Sequence, residues 1–566
     1  MSRWRTPQLA EPQLFLVLAL LIGVFSGLTV VCFRIAMEMA HVYLLGPALS
    51  PSPARLFLVL PLAGLAIAAF VELVSPAIRG SGVNQTKAAV YIYDGYIAFR
   101  TVAGKFVAAT LAIGSGQSLG PEDPSLHMGA GIASAIGRGA GLSRQTLRLI
   151  APVGAAAGLA AAFNSPVTAV LFVLEEVIGT WNAVALGAIV IAAIASVVVQ
   201  HWFLGDQPLF RVPEYHQAQM GDLLVYAVLG LVGGILSLAF VKLALHLRRY
   251  LKARPRWTRW VQPAMAGLFI ATVAVWFPQV AGAGYEHIDA AIHDQYVWQV
   301  LAALAVLKLL ATAASFASGT PGGLFAPTLF IGAMAGGAVC GATRALVPGF
   351  EGDTGIYALV GMGTLFAGIL RAPITSVFMI LEVSGSYSIV LPVMISNTVA
   401  YVVSRQYQRD SIFDMVARQD GMELPSMEHR REAVIRRVED AMRPPPVVLP
   451  RQIEVRDALR LAEESATRQM LAHIRPHAWV LASVADLEAL AAEGKDRLAV
   501  GGVMALATPL PILHPDEPLD AALAAMGDSS LLPVVHRAEP SRLVGVVSLE
   551  DILQAYRSDR PPPPAV

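Results

Sequence analysis

Apolar residues fill the chain in long runs to about residue 403, at 14–36, 55–76, 104–115, 147–178, 185–204, 221–246, 262–277, 298–317, 325–346, 355–384 and 388–404. Several runs fall short of the roughly 20 residues that carry a helix across a bilayer, and some join through Pro or Gly. That pattern predicts broken helices with ends inside the membrane. The polar stretch GDQPLFRVPEYHQAQM, from Gly205 to Met220, divides the apolar part into halves of similar length. The first run, from Leu14 to Val31, is long for a signal segment and lacks a clear small-residue cleavage site, so a retained helix is expected. The expected layout is a membrane domain over 12–404, with repeats at about 12–204 and 221–404. A linker at 405–437 and a soluble α/β tail at 438–557 follow.

Composition agrees with this reading. The 566 residues are 55% hydrophobic and 14% charged, against roughly a quarter charged in soluble domains. The formal net charge is zero, so no nucleic-acid partner is indicated. Arg3 and Arg5 precede the first run, and basic segments follow the last, which places both termini in the cytoplasm. No HExxH or CxxC spacing suggests a metal, and no nucleophile–base pair suggests an enzyme.

The halves echo each other. At an offset of 207, Val153, Gly154, Ala160, Pro166, Thr168, Val170, Leu174 and Glu175 each meet an identical residue. At an offset of 203, Gly120, Pro124, Leu126, Gly129 and Ala130 recur. Two echoes in the same order at nearly one offset indicate an internal duplication, and such folds place the substrate site at the repeat interface. The repeated acids Glu175 and Glu382 are expected to share a structural role.

Three glycine-rich loops border apolar helices: GSGVNQ (Gly80 to Gln85), GPEDP (Gly120 to Pro124) and GTPGGLFAP (Gly319 to Pro327). Helix N-termini carry unpaired N–H groups and about half a positive charge. Several such ends meeting at mid-membrane would hold a small anion weakly enough to release it. Glu122 stands in the second loop, and a carboxylate at that depth is a functional-site candidate. Deprotonated, it can occupy the anion's own site; protonated, it leaves. Lys105 either lends a positive field to the path or snorkels to the interface. His127 is expected to be a hydrogen-bonded helix histidine.

The loops, the duplication and the tail together resemble the CLC family of chloride channels and chloride/proton exchangers, over nearly the whole chain. GSGVNQ resembles the family's GSGIP loop, GPEDP its GREGP loop and GGLFAP its GGIFAP loop. The resemblance implies an all-α polytopic membrane domain of inverted repeats with broken helices, forming a homodimer with one pathway per subunit. It also implies that Ser81 and Gly82, with the N–H groups of Leu324 and Phe325, bind the anion, that Glu122 is the gating glutamate, and that Glu176 is the intracellular proton-transfer glutamate of exchangers. Three positions depart from the pattern. Asn84 replaces a proline. Asp123 replaces a glycine, and its repulsion of the gate is expected to move the pH range of transport upward. The pore tyrosine falls on Phe413, which has no hydroxyl.

The tail resembles a pair of cystathionine-β-synthase (CBS) motifs, a degenerate one at 438–494 and a clearer one at 502–557. That resemblance implies adenine-nucleotide contacts at Ser548 and Asp551, and more weakly at Ser483 and Asp486; both pairs also fit simple helix caps. The leading expectation is chloride/proton exchange with no required cofactor, with chloride, protons and lipid as partners. A passive voltage- or pH-gated chloride channel of the same fold, and a membrane-anchored nucleotide sensor, remain alternatives.

Overall fold

A computed structural model describes residues 11–46, 51–179, 183–206, 209–210, 212, 221–422, 424–425, 436–445, 447–465, 467, 469–475, 478–527, 529–537 and 539–557. Arg3, Arg5 and most of the polar stretch between the halves lie outside the described residues. The chain divides into two compact units, Met1–Arg431 and Glu432–Val566.

The first unit is helical. Its first half holds α1 (Glu11–Leu44), α2 (Pro53–Val74), α3 (Val83–Tyr91), α4 (Phe99–Gly114), α5 (Glu122–Gly139), α6 (Arg144–Phe163), α7 (Pro166–Phe172) and α8 (Ala183–Leu204). Its second half holds α9 (Asp222–Lys252), α10 (Gln262–Ala274), α11 (Tyr285–Ile292), α12 (Trp298–Ala317), α13 (Phe325–Leu346), α14 (Thr354–Leu370), α15 (Pro373–Ser384) and α16 (Val390–Tyr407), and α17 (Ile412–Gln419) follows. Eight helical stretches among the described residues are long and apolar enough to span a bilayer, and three apolar helices are shorter. Leu16, Leu20, Leu58, Leu62, Val198 and Ile235 are exposed on the outside, as expected where the solvent is lipid.

The packing repeats with the sequence. α1 lies on α8 as α9 lies on α16, and α5 lies on α6 as α13 lies on α14. A Cβ added at Gly129 would strike the Gly154 carbonyl, and one at Gly332 would strike the Gly361 carbonyl. Glycine is therefore required at these crossings, where backbones touch directly. The long apolar runs 147–178 and 355–384 each break at a left-handed residue, Asn164 (φ 55°) and Arg371 (φ 62°), followed two residues later by a helix-starting proline. Proline suits that first turn because its missing N–H would have no partner there.

The repeated acids join the halves. Glu175 accepts from the Thr375 amide (2.9 Å) and hydroxyl (2.7 Å) at the start of α15. Glu382 accepts from the Val167 and Thr168 amides (2.9 and 2.7 Å) and the Thr168 hydroxyl (2.5 Å) at the start of α7. Each half thus caps a helix of the other, which is the shared structural role expected of them. Glu382→Ala should cost about 2 kcal/mol, the worth of hydrogen bonds to a charged group. A lowered unfolding temperature in detergent would register it, and an unchanged one would refute it.

In the second unit the order β1 (Val448–Leu449), α18 (Val455–Glu464), β2 (Gln469–Arg475), β3 (Ala478–Ser483) and α19 (Val484–Ala492) precedes α20 (Val500–Val503), α21 (Leu519–Met526), β4 (Leu531–His536), β5 (Glu539–Ser548) and α22 (Leu549–Arg557). β2 and β3 pair antiparallel, as do β4 and β5. Arg443 exchanges backbone hydrogen bonds with Val546 at 2.9 and 3.0 Å, so the first residues of the tail join the sheet of its later half.

Candidate functional site

The two echoing loops meet. The Gly120 amide donates to the Gly323 carbonyl (2.9 Å), and the Gly323 amide donates back to Gly120 (2.7 Å). This two-way exchange sets the first turns of α5 and α13 side by side, as a duplicated fold with its site at the repeat interface requires.

Both acids of GPEDP cross that seam. Glu122 is fully buried and accepts a hydrogen bond from the Tyr285 hydroxyl at the start of α11. A Cβ added at Gly120 would meet both the Glu122 carboxylate and Ala326, so the gate candidate lies against the first turn of α13. Its other oxygen, Oε2, is buried without a partner. Asp123, also fully buried, accepts from the Leu324 amide at 3.1 Å, and its Oδ1 is unpartnered. Here the structure differs from the sequence expectation. The resemblance implies that the Leu324 N–H faces an anion, yet in this structure the chain's own Asp123 holds it. Phe325 starts α13 and packs its ring on Phe172, Phe366 and Phe163, at centroid distances of 4.8, 5.2 and 5.6 Å.

Gly82 caps α3 with φ 119°, a backbone region open mainly to glycine. It lies against the first turn of α5, where an added Cβ would meet the Asp123 carbonyl oxygen and His127. His127 is buried, and its Nδ1 is unpartnered. Ser81 and Asn84 line a cavity of about 320 Å³ whose walls also carry Arg79, Arg248, Lys252 and Arg259. Asn84 Oδ1 has no partner. The cavity therefore offers a basic approach to the Ser81 loop.

Lys105 neither snorkels nor stands in an open path. It is buried and donates to the Gly80 carbonyl at 2.7 Å, holding the GSG loop in shape. Lys308, at the same offset of 203, donates to the Gly282 and Val280 carbonyls at 2.6 and 2.9 Å. A fourth glycine loop thus appears at Gly282 to Gly284, with Gly284 capping α11 at φ 87°. The signal was in the sequence: GAG at 282 follows GSG at 80 by 202 residues.

Glu176 belongs to a second buried group. The Lys87 ammonium donates to Glu176 Oε1 (3.0 Å) and Asp414 Oδ1 (2.7 Å), and the Ser411 hydroxyl donates to Glu176 (3.1 Å). Phe413 is buried beside Asp414 on α17, which packs on α3 and α14. Its side chain brings no polar atom; the phenol beside Glu122 is that of Tyr285. Helix α3 links the groups, with its cap against α5 and Lys87 on its second turn.

Comparison with known proteins now decides the family. Residues 63–405 match the family model described as voltage gated chloride channel, and residues 500–558 match the CBS domain model. The chain belongs to the voltage-gated chloride channel (CLC) family. A relative from Cronobacter sakazakii named H(+)/Cl(-) exchange transporter ClcA is 32% identical over 409 residues, covering 68% of this chain and 85% of that one. In fold, this CLC protein resembles a slow cyanobacterial Cl-/H+ antiporter, with a TM-score of 0.66 at 22% identity over 73% of this chain and 99% of the other. It also resembles a eukaryotic CLC transporter, with a TM-score of 0.62 at 20% identity over 95% and 97%. This CLC member is therefore a multi-pass integral membrane protein with a C-terminal CBS domain.

In that domain, Ser548 and Asp551 form a reciprocal helix cap. The Ser548 amide and hydroxyl donate to Asp551 Oδ2 (2.9 and 2.6 Å), and the Asp551 amide donates to the Ser548 hydroxyl (3.3 Å). Arg443 also binds the Asp551 carboxylate and donates to Ser548 (3.1 Å). Burial pushes Asp551 up, but the hydrogen bonds from Ser548 and Arg443 outweigh it and hold the acid below its usual value. Ser483 and Asp486 repeat the reciprocal cap. The capping alternative thus accounts for the geometry of both pairs.

Proposed function

We propose that this CLC protein exchanges chloride for protons across the membrane, with Glu122 as gate. The supporting observation is the buried Glu122 carboxylate, which reaches across the seam between the halves to the starts of α11 and α13. Those helix starts favour any anion, tethered or free. Ionised, Glu122 fills the anion's place. A chloride arriving from the Ser81 side competes with it and disfavours its charge. Protonated, the side chain withdraws and chloride passes. One carboxylate thus makes anion and proton compete. Glu176 supplies the proton from the inner side, and a passive channel would have no use for it. Ser81, Gly82 and the Phe325 amide hold the anion, and Asp123 withdraws from Leu324 when that amide is needed. The protein works as a homodimer in the cell's inner membrane with both termini in the cytoplasm. Its CBS unit tunes transport, and an adenine nucleotide taken up at Ser548 and Asp551 would displace Arg443.

Reconstitution into liposomes tests the proposal. A chloride gradient should drive protons uphill, read with a pH dye and a chloride electrode together. Chloride flux with no linked proton movement would refute exchange.

A further inference from the structure

Lys87, Glu176 and Asp414 form a closed group of one base and two acids, each buried. The two acids share one ammonium, at 3.0 and 2.7 Å. With both acids ionised, the group carries one uncompensated negative charge, which a low-dielectric site opposes strongly. With one proton shared between the acids it is neutral.

We propose that Asp414 and Glu176 together hold the transferable proton, with Lys87 as the positioning residue that sets how tightly it is held. The inference rests on the exchange reading above and extends it from one acid to a pair. An O–H bond forms when either carboxylate takes a proton from the inner solution. It breaks when that proton passes on toward Glu122, and the pair returns to its anionic state. The surroundings leave no other neutralising partner among the described residues. Ser411 donates a neutral hydrogen bond to Glu176. Arg418 on α17 pairs with Asp410, Arg148 on α6 pairs with Asp94, and on α9 Arg248 and Lys252 are engaged by Asp420 at the far end of α17. α14 carries no acid or basic residue, and on α3 the only charged residue is Lys87.

The test follows proton and chloride flux in liposomes holding the full-length protein. Asp414→Asn leaves Lys87 and Glu176 as a neutral pair with no need of a proton. Proton flux at neutral pH should fall at least about tenfold, with chloride flux retained and the proton-flux profile moved to lower pH. Asp414→Glu should restore both. Glu176→Gln should leave a residual proton flux that the double variant with Asp414→Asn loses. Lys87→Gln should move the profile the opposite way, to higher pH, so either variant can decide by sign if the other does not fold. Parental coupling and pH profile in Asp414→Asn, with Glu176→Gln defective, would overturn the pair alone. Parental coupling in Glu176→Gln would overturn the exchange reading as well.

Discussion

Glu122→Gln should abolish proton movement while chloride still flows. The neutral amide keeps the size of the acid but cannot take up and release a proton. It also removes the negative charge that competes for the α13 N-terminus, a position that favours anions by about 0.3–1 kcal/mol or more when buried. Parallel recording in liposomes should therefore show a chloride flux that is insensitive to pH and moves no protons against their gradient. Linked proton transport in this variant would place the gate elsewhere.

The second large effect concerns Asp123. Its carboxylate takes the Leu324 amide at 3.1 Å, and Gly323 leaves it room, since an added Cβ there would meet the Asp123 carboxyl group at 2.8–2.9 Å. An entering chloride must compete with a ligand that cannot diffuse away. Asp123→Gly should free the amide and remove a negative charge, tightening chloride binding by about tenfold, or roughly 1.4 kcal/mol. Calorimetric titration of the purified protein would measure it. Equal affinity in parent and variant would show that Asp123 does not compete.

Much of this was legible because duplication leaves a regular trace. The offsets of 203 and 207 identified the loops that meet at Gly120 and Gly323, and singled out Glu175 and Glu382 as structural acids. Glu122 stood out because a carboxylate between apolar runs is costly unless it is used. The partners of these acids were hidden for a physical reason. Lys87 lies 89 residues from Glu176, and Asp414 lies 327 residues from Lys87; only packing brings them together. Tyr285 was missed because its loop repeats GSG as GAG without the serine that drew attention to the first. The Asp123–Leu324 bond was missed because a family pattern with glycine at that position has no side chain to place there.

The crossed caps at α7 and α15 have a consequence for how the protein is made. Thr168 and the acid that caps it, Glu382, are 214 residues apart. At about 5–20 residues per second, a ribosome takes roughly 10–40 seconds to cover that distance. Throughout that interval the start of α7 lacks its acid and Glu175 has no helix to hold. The first half is therefore expected to wait with these cap groups unpaired until the second is made. Variants that slow synthesis of the second half should lower the yield of the protein without altering a single contact in the finished molecule.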